Sequence, residues 1–302
     1  MIVVIAFVAN ILVAIAKSVA AVLTGSASLV AEASHSWADA GNEIFLLVAD
    51  RRSVRAKDDG HPLGYGREAY VWSLLAAVGV FTVGAVVSVM HGVQELFDPE
   101  PASDYLVAYL VLGVSALLEG ASLVQSVLQA RRTASGFRRQ TVDYVVNGSD
   151  PTLRAVVAED SAALAGLAIA FLGILLHQLT GDPFWDSLGS ILIGLLLAGV
   201  AVVLINQNRR YLVGFNPPER FRVGAAARLL AQPEIARVTY LHLEFVGPSR
   251  LFLVAAVDLQ GDEPEEQVAR VLRRIEQQIE EDELIEQAVL TLSVSDEPSL
   301  EF

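Results

Sequence analysis

The chain has 302 residues, of which 53% are hydrophobic and 19% are charged, and its formal net charge is −14. This acidic balance argues against nucleic-acid binding, which needs a basic surface, and so few charges are unusual for a soluble protein. Cysteine is absent, so disulfides and thiolate metal sites are excluded. The composition therefore predicts a membrane protein.

Six apolar stretches are each long enough to cross a bilayer, which takes about 20 residues. The first is apolar from its start and has no basic region before its apolar core, so we expect a spanning helix and not a cleaved signal peptide. The six predicted transmembrane helices cover residues 2–24, 28–50, 70–97, 105–131, 152–179 and 184–206.

The links between these stretches alternate in charge. Arginines are frequent in the links 51–69 and 132–151 and follow the last span at 209–210, whereas the link 98–104 contains acidic residues and no basic ones. Basic links stay on the cytoplasmic side of a membrane. We therefore expect both termini in the cytoplasm, and we assign the chain to a bacterial inner (plasma) membrane.

The composition changes after residues 215–218, where a soluble domain is predicted. Its periodicity indicates two amphipathic helices and three strands in the order αββαβ, at residues 219–231, 238–246, 251–259, 263–283 and 288–294. This order predicts a small α+β domain of ferredoxin-like type. One such layer exposes an apolar face, which favours a homodimer. The predicted organisation is a transmembrane transport domain at 1–212 and a cytoplasmic dimerisation domain at 213–302.

Polar side chains interrupt the second predicted span. His35 and Asp39 are four residues apart and share a helix face, which Glu43 continues. A charge at mid-bilayer costs about 2.5–3.5 kcal/mol, so such groups face the bundle interior and mark ion pathways. Imidazole with carboxylate suits a divalent transition metal, zinc first. The alternative is that these groups hold helices together by hydrogen bonds.

Glu159 and Asp160 bring two carboxylates into the fifth predicted span. Adjacent residues point about 100° apart on a helix, so we do not expect both to face one ion equally, and we expect Asp160 to be the stronger ligand. Carboxylates that are close together in a low-dielectric interior hold protons, which a divalent cation displaces. This pair therefore predicts an exchange of metal for protons. The alternative is that one of the two pairs with Arg154.

Other polar residues in the spans are less informative. Glu119 is either a relay group or a packing partner, and Asp186 is an N-cap-like or interhelical group. Lys17 is long enough to extend its ammonium toward the membrane interface. Several glycines in the spans predict close helix packing.

Several motifs together resemble the cation diffusion facilitator family over nearly the whole chain. The Glu159-Asp160-Ser161-Ala162-Ala163 and Asp150-Pro151-Thr152 stretches are most similar to the branch that contains the vertebrate mitochondrial zinc-transporter-like member. The other matching stretches are Gly25-Ser26-Ala27-Ser28-Leu29, Glu32-Ala33-Ser34-His35-Ser36, Asp39-Ala40-Gly41-Asn42, residues 61–68, Gly79-Val80-Phe81 and Asp186-Ser187-Leu188-Gly189-Ser190.

The resemblance implies six spans, metal ligands on the second and fifth, and a cytoplasmic αββαβ domain. Zinc exporters of the family carry His or Asp four residues before the fifth-span aspartate, where this chain has Val156. Glu159, Glu43 or Asn42 is expected to supply the missing ligand. Because these add oxygen ligands, the range of metals widens toward iron, manganese and magnesium, whereas His35 favours zinc.

Some relatives have a second metal site between spans two and three. Asp58, Asp59 and His61 lie there in this chain, but Tyr65 stands where a second histidine is expected, so we favour a solvated loop. The C-terminal domain has a single histidine, His242, and we expect no metal site in it.

The sequence as a whole predicts a homodimeric, proton-coupled antiporter in a lipid bilayer that exports a divalent metal cation, with Zn²⁺ as the first candidate, from the cytoplasm. The metal is the substrate, and no cofactor and no enzymatic activity are expected. Alternatives are an iron- or manganese-preferring transporter, a passive cation channel, or a metal-sensing membrane protein. No phosphate-binding motif of the Gly-x-x-x-x-Gly-Lys-[Ser/Thr] type is present.

Overall fold

A computed structural model describes residues 2–99, 104–136, 140–214, 217–261 and 263–301. Residues 100–103 of the acidic link, Arg138 and Arg139 of a basic link, and residues 215–216 lie outside this part of the chain. Contacts divide the protein into two compact units. We call Met1–Asp50 with Val71–Arg209 the membrane unit, and Arg51–Tyr70 with Arg210–Phe302 the C-terminal unit. The predicted boundary at 212/213 does not anticipate that residues 51–70 group with the C-terminal unit.

Eight α-helices are observed between residues 2 and 213 of the described chain. The helices that correspond to the six predicted spans begin within two residues of the predicted positions, and α5 and α8 extend further than predicted. Helix α6 was not predicted. The bounds are α1 Ile2–Thr24, α2 Ala27–Ser53, α3 Glu68–Gly79, α4 Val87–Phe97, α5 Tyr105–Gly136, α6 Thr141–Asn147, α7 Pro151–Thr180 and α8 Phe184–Val213, with a π-helical segment Val80–Val86 joining α3 to α4.

Four helical stretches in the described residues are long and apolar enough to cross a membrane: Glu68–Phe97, Tyr105–Ser135, Pro151–Thr180 and Phe184–Val213. Helix α1 contains a shorter apolar stretch, Asn10–Thr24. Helix α2 is the least apolar of the long helices because it carries several acidic side chains and His35. The count of six spans therefore stays a prediction for α1 and α2.

Side chains cap the N-terminal ends of α7 and α2. Asp150 accepts a hydrogen bond from the Leu153 amide at 3.1 Å and caps α7, and Gly181 ends it with a φ of 75°. Asp186 of α8 accepts hydrogen bonds from the Ala27 amide at 2.8 Å and the Ser26 hydroxyl at 3.0 Å. Asp186 is thus an interhelical group, and the helix that it caps is α2.

Small residues bring α2, α7 and α8 close together. A Cβ at Gly189 would lie 2.5 Å from the Ser28 hydroxyl oxygen, and one at Gly173 would lie 3.2 Å from it. A Cβ at Gly166 would collide with the Glu32 carboxylate. The predicted role of glycines in close helix packing is confirmed here, and it presses α7 against the polar face of α2.

The C-terminal unit has the predicted order αββαβ, and each element ends within three residues of its predicted position. The elements are α9 Glu219–Leu230, β1 Ile235–Gly247, β2 Arg250–Leu259, α10 Glu265–Glu280 and β3 Ile285–Leu292. The sheet order is β1-β2-β3, with β1 antiparallel and β3 parallel to β2. Its core includes Leu229, Leu253 and Ile275.

The link 51–70 belongs to this second unit for a steric and an electrostatic reason. Gly66 approaches the β1–β2 turn so closely that a Cβ there would lie 2.7 Å from the Gly247 Cα atom. Beside it, the Arg67 guanidinium donates a hydrogen bond to the Glu244 carboxylate at 2.6 Å. Tyr70 stacks on Tyr211 with ring centroids 4.8 Å apart.

Candidate metal site

His35 and Asp39 lie together on the buried face of α2, as their spacing predicts. The Asp39 Oδ1 atom is 3.3 Å from the His35 Nδ1 atom. His35 is only 1% exposed. Both ring nitrogens of His35 and the Oδ1 atom of Asp39 are buried and have no hydrogen-bond partner among the described residues. Apart from the contact between His35 and Asp39, these three potential metal donors have no hydrogen-bond partner in the described chain.

One turn further along α2, Asn42 reaches α7. Its side-chain amide donates a short hydrogen bond to the Glu159 carboxylate. The Asn42 Oδ1 atom is buried, and no hydrogen bond to it is found in the described part of the chain. Glu159 is thus the fifth-span carboxylate that faces α2.

Asp160 faces a different helix. Its Oδ2 atom accepts hydrogen bonds from the hydroxyls of Ser122 at 3.0 Å and Ser126 at 3.2 Å, both on α5. The two adjacent carboxylates therefore face different helices, and the structure orients Glu159, and not Asp160, toward α2. How the two share an ion stays a prediction.

Glu43 and Arg154 have partners elsewhere. Glu43 accepts a hydrogen bond from the Asn10 side chain of α1 at 3.0 Å. The Arg154 guanidinium donates to the backbone carbonyls of Val145 and Gly148, near the start of α7. Glu43 therefore continues the predicted face of α2 in sequence, but its carboxylate is bonded to α1.

Lys17 lies at the centre of a second charged group. Its ammonium is 2.9 Å from Glu32 Oε2 and 3.7 Å from Glu119 Oε1, and the Lys17 and Glu32 side chains are fully buried. The expectation that Lys17 extends toward the membrane interface is wrong, because buried carboxylates of α2 and α5 hold its charge inside. Glu119 is correspondingly a partner of this ion pair.

Taken together, the buried polar groups form neighbouring pairs and not one closed cage. In the residues that the structure describes, no three His, Asp or Glu side chains are grouped closely enough to hold a metal as they stand. The donor chemistry nevertheless fits a cation, because an imidazole, two carboxylates and an amide oxygen lie on facing surfaces of α2 and α7.

The loop between α2 and α3 contains a second His–Asp pair in the C-terminal unit. The His61 Nδ1 atom is 3.2 Å from Asp58 Oδ1, both side chains are half exposed, and the Tyr65 hydroxyl donates to Asp58 at 2.6 Å. Hydrogen bonds from Tyr65 and from His61 hold the pKa of Asp58 below its usual range. Asp59 is exposed. These contacts stabilise a solvated loop and leave Tyr65 in the expected histidine position.

The Lys17 ion pair is the feature that the sequence reasoning missed, and the sequence did contain a signal for it. Helices α1 and α2 are joined by a tight turn at Gly25 and Ser26. Lys17 lies eight residues before this turn, and Glu32 lies six residues after it. Since a helix rises about 1.5 Å per residue, the two side chains reach a similar depth in an antiparallel pair.

One protein-family model and several known proteins match this chain. The model of the cation efflux transmembrane domain matches residues 3–213. The chain is 37% identical over 234 residues to metal tolerance protein C4 of Arabidopsis thaliana, which covers 77% of this chain and 51% of that protein.

Two further relatives are named as zinc transporters, and the aligned region covers a different share of each. The chain is 36% identical over 247 residues to the mitochondrial proton-coupled zinc antiporter SLC30A9 of Xenopus laevis, which covers 81% of this chain and 44% of that protein. It is 24% identical over 281 residues to zinc transporter ZitB of Pectobacterium atrosepticum, at 92% of this chain and 80% of that protein. The chain thus spans about half the length of the first two relatives.

Proposed function

Because this chain belongs to the cation efflux family, and is an integral membrane protein, we propose that it is a proton-coupled antiporter that carries a divalent metal cation, zinc first, out of the cytoplasm. The metal is the substrate, and we propose no resident cofactor and no enzymatic activity.

The observation that carries this proposal is the set of unpaired donors at His35 and Asp39. These atoms are buried and have no hydrogen-bond partner among the described residues. A buried polar group without a partner costs about 1–3 kcal/mol of stability. A bound cation would satisfy the imidazole nitrogen and the carboxylate at once, so the cost is explained if the groups are kept for a ligand.

The proposed ligands come from α2 and α7. His35 and Asp39 bind the ion with Glu159, and the free amide oxygen of Asn42 lies beside Glu159. Asp160 and Glu43 complete the proposed set. Their present partners are serine and asparagine side chains, which are neutral, and a divalent cation attracts a carboxylate more strongly than these do.

The choice of zinc and of proton coupling is supported by donor chemistry and by relatives. An imidazole nitrogen with carboxylate oxygens is a donor set that zinc accepts. Neighbouring carboxylates take up protons when the cation leaves, which couples the two movements. A relative is named as a proton-coupled zinc antiporter. The alternatives are a transporter that prefers iron or manganese and a passive cation channel, which would need weaker binding than a buried ligand cluster gives.

The architecture that we propose follows the same family. Six spans are formed by α1, α2, α3 with α4, α5, α7 and α8, with both ends of the chain on the cytoplasmic side of a bacterial inner membrane. Residues 1–212 form the transport domain. Residues 213–302 form a ferredoxin-like dimerisation domain, for which the observed αββαβ order is the support. Two copies would then carry one ion path each.

Uptake into proteoliposomes with an imposed pH gradient tests the proposal. We expect accumulation of Zn²⁺ against its gradient when protons flow the other way, and slower accumulation of Mn²⁺ and Fe²⁺. Faster Fe²⁺ or Mn²⁺ uptake would favour the first alternative. Metal flux that ignores the pH gradient would favour a channel. The Asp39→Asn variant in the same vesicles is the control for leak.

A further inference from the structure

Lys17 is a fully buried cation in the membrane unit that the proposed metal site does not use. Its ammonium forms a 2.9 Å ion pair with Glu32 of α2 and lies 3.7 Å from Glu119 of α5. Three helices thus meet at one lysine. The formal charge of the three side chains together is −1, so the lysine does not neutralise the group completely.

This ion pair is directly adjacent to the metal-binding face of α2. Glu32, His35 and Asp39 follow one another at spacings of three and four residues, so their side chains form one column on the helix. A cation bound by His35 and Asp39 would therefore lie within one or two helix turns of a fixed positive charge.

The position of Glu32 is restricted from its other side. Its Oε1 atom is buried without a hydrogen-bond partner in the described chain, and it lies so close to Gly166 of α7 that a Cβ there would collide with it. Helix α7 also carries Glu159. The Glu32 carboxylate, and the lysine paired with it, are thus held in place between α1 and α7.

We propose that Lys17 is a positioning residue that sets the affinity of the neighbouring site for its divalent cation. It does so by placing a fixed positive charge beside the site. The group as a whole attracts the cation, because two carboxylates surround one ammonium, and the charge of Lys17 opposes this attraction and weakens binding. Weaker binding speeds release, which a transporter needs as much as capture. This inference rests on the proposed function, since it assumes that His35 and Asp39 bind the cation.

The proposal predicts opposite effects for the two halves of the ion pair. Lys17→Met removes the positive charge, so we expect the Kd for Zn²⁺ to fall about tenfold, the order expected for charges several ångströms apart in a partly screened interior. Glu32→Gln removes one of the two carboxylates beside the lysine and leaves Glu119 as the other, so the Kd should rise about tenfold for the same reason. The double variant should return to within about threefold of the wild type, because the two changes cancel.

The experiment is an equilibrium titration of the purified full chain in detergent with Zn²⁺, in competition with a chelating dye. The matched control is Lys57→Met, because Lys57 is the only other lysine of the chain and lies exposed in the link 51–69. It undergoes the same substitution and should keep the wild-type Kd. Lys17→Arg retains the charge and should remain closer to the wild type than Lys17→Met.

Transport gives a second readout that a purely structural role would not produce. Lys17→Met should lower both KM and the maximal rate, because tighter binding slows release. If Lys17→Met does not fold, Glu119→Gln tests the same idea. Glu119 is 3.7 Å from the lysine and 18% exposed, so its loss should raise the Kd by a smaller factor, about threefold.

The outcomes separate this inference from the proposed function. If Lys17→Met and Glu32→Gln shift the Kd in the same direction, or leave it unchanged, Lys17 is only a structural residue. If the wild type does not bind Zn²⁺, or if the double variant His35→Ala, Asp39→Asn binds it normally, the proposed site itself is wrong. Opposite shifts with cancellation in the double variant would support the inference.

Discussion

The membrane unit contains two neighbouring groups of buried polar side chains that differ in one respect. Around Lys17, opposite charges are paired, with an ammonium-to-carboxylate distance of 2.9 Å to Glu32. Around His35 and Asp39, buried nitrogen and oxygen atoms lie 3.3 Å apart but have no hydrogen-bond partner among the described residues. The two groups share one face of α2, so burial alone does not explain the difference.

The difference separates stability from function. A buried ion pair that loses one partner leaves a charge without compensation, and the loss of stability is large. A buried polar atom that is already unpaired adds nothing to stability, and its removal relieves a cost. We therefore assign the Lys17 group to the structure and electrostatics of the bundle, and the His35 group to ligand binding.

The largest expected effect is at Asp39. Asp39→Asn keeps the size of the side chain but removes the charge of a proposed ligand, so proton-driven metal uptake should fall at least about 100-fold, toward the level of empty vesicles. Proteoliposome flux under a pH gradient is the measurement. Asp59→Asn is the matched control, because Asp59 is exposed in the link 51–69, and it should transport normally. Wild-type flux in Asp39→Asn would contradict the assignment of the His35 and Asp39 group to ligand binding.

The second prediction concerns stability, for which we expect a change in the Lys17 group to have the larger effect and a change at Asp39 the smaller one. Lys17→Met should lower the free energy of unfolding by about 3–5 kcal/mol, because Glu32 is left as an unpaired buried charge. Asp39→Asn should change it by less than about 1 kcal/mol, since its Oδ1 atom has no hydrogen-bond partner to lose in the described structure. Both are measured by denaturation in detergent, followed by circular dichroism, with Lys57→Met as the control.

An equal loss of stability in Lys17→Met and Asp39→Asn would contradict the distinction between paired and unpaired groups. A further check is the Lys17→Met, Glu32→Gln double variant. It should be more stable than Lys17→Met alone, because no unpaired charge is left at position 32.

The third prediction asks which carboxylate of α7 contributes more to Zn²⁺ binding. Glu159 faces Asn42 of α2, whereas Asp160 is held by two serines of α5. Glu159→Gln should therefore weaken Zn²⁺ binding about tenfold more than Asp160→Asn, since only the first removes a charge next to Asp39. A metal titration of the two variants compares them directly. A larger effect of Asp160→Asn would restore the order that the sequence suggests.

Local patterns were sufficient to predict most of the fold. The apolar stretches gave the helix positions of the membrane unit, and the periodicity gave the αββαβ order of the C-terminal unit, because both follow from neighbours along the chain. The spacing of His35 and Asp39 likewise predicts their shared face. Helix α6 was missed because it is a short element whose buried Tyr144 packs against α5 and α7, contacts that no local pattern reveals.

The orientation of individual side chains was harder to predict, because it depends on which helices touch. The sequence favoured Asp160 over Glu159, and only the packing of α7 between α2 and α5 shows that Glu159 is the carboxylate that faces α2. Lys17 was misplaced for the same reason. Its behaviour depends on Glu32 and Glu119, which are distant in sequence and on other helices.

The smallest effect is expected at a His–Asp pair outside the membrane unit. His61 and Asp58 are 3.2 Å apart, much like His35 and Asp39, but both are half exposed to solvent. Exposed charged pairs are screened by water and salt, and they contribute little to stability or binding. His61→Ala should therefore leave the Kd for Zn²⁺ and the uptake rate within about twofold of the wild type. His35→Ala, by contrast, should abolish both Zn²⁺ binding and uptake.

The same loop gives a pH test of this contrast. The Tyr65 hydroxyl and His61 hold the pKa of Asp58 below its usual range, so Tyr65→Phe should raise that pKa toward the ordinary value. A lowered folded-state pKa adds stability above the unfolded pKa, and this contribution disappears as the pH falls through the folded pKa. The free energies of unfolding of the wild type and of Tyr65→Phe should therefore differ slightly near neutral pH and converge in acid.

If His61→Ala weakened metal binding tenfold, the loop would be a second metal site, and burial would not be what separates the two His–Asp pairs.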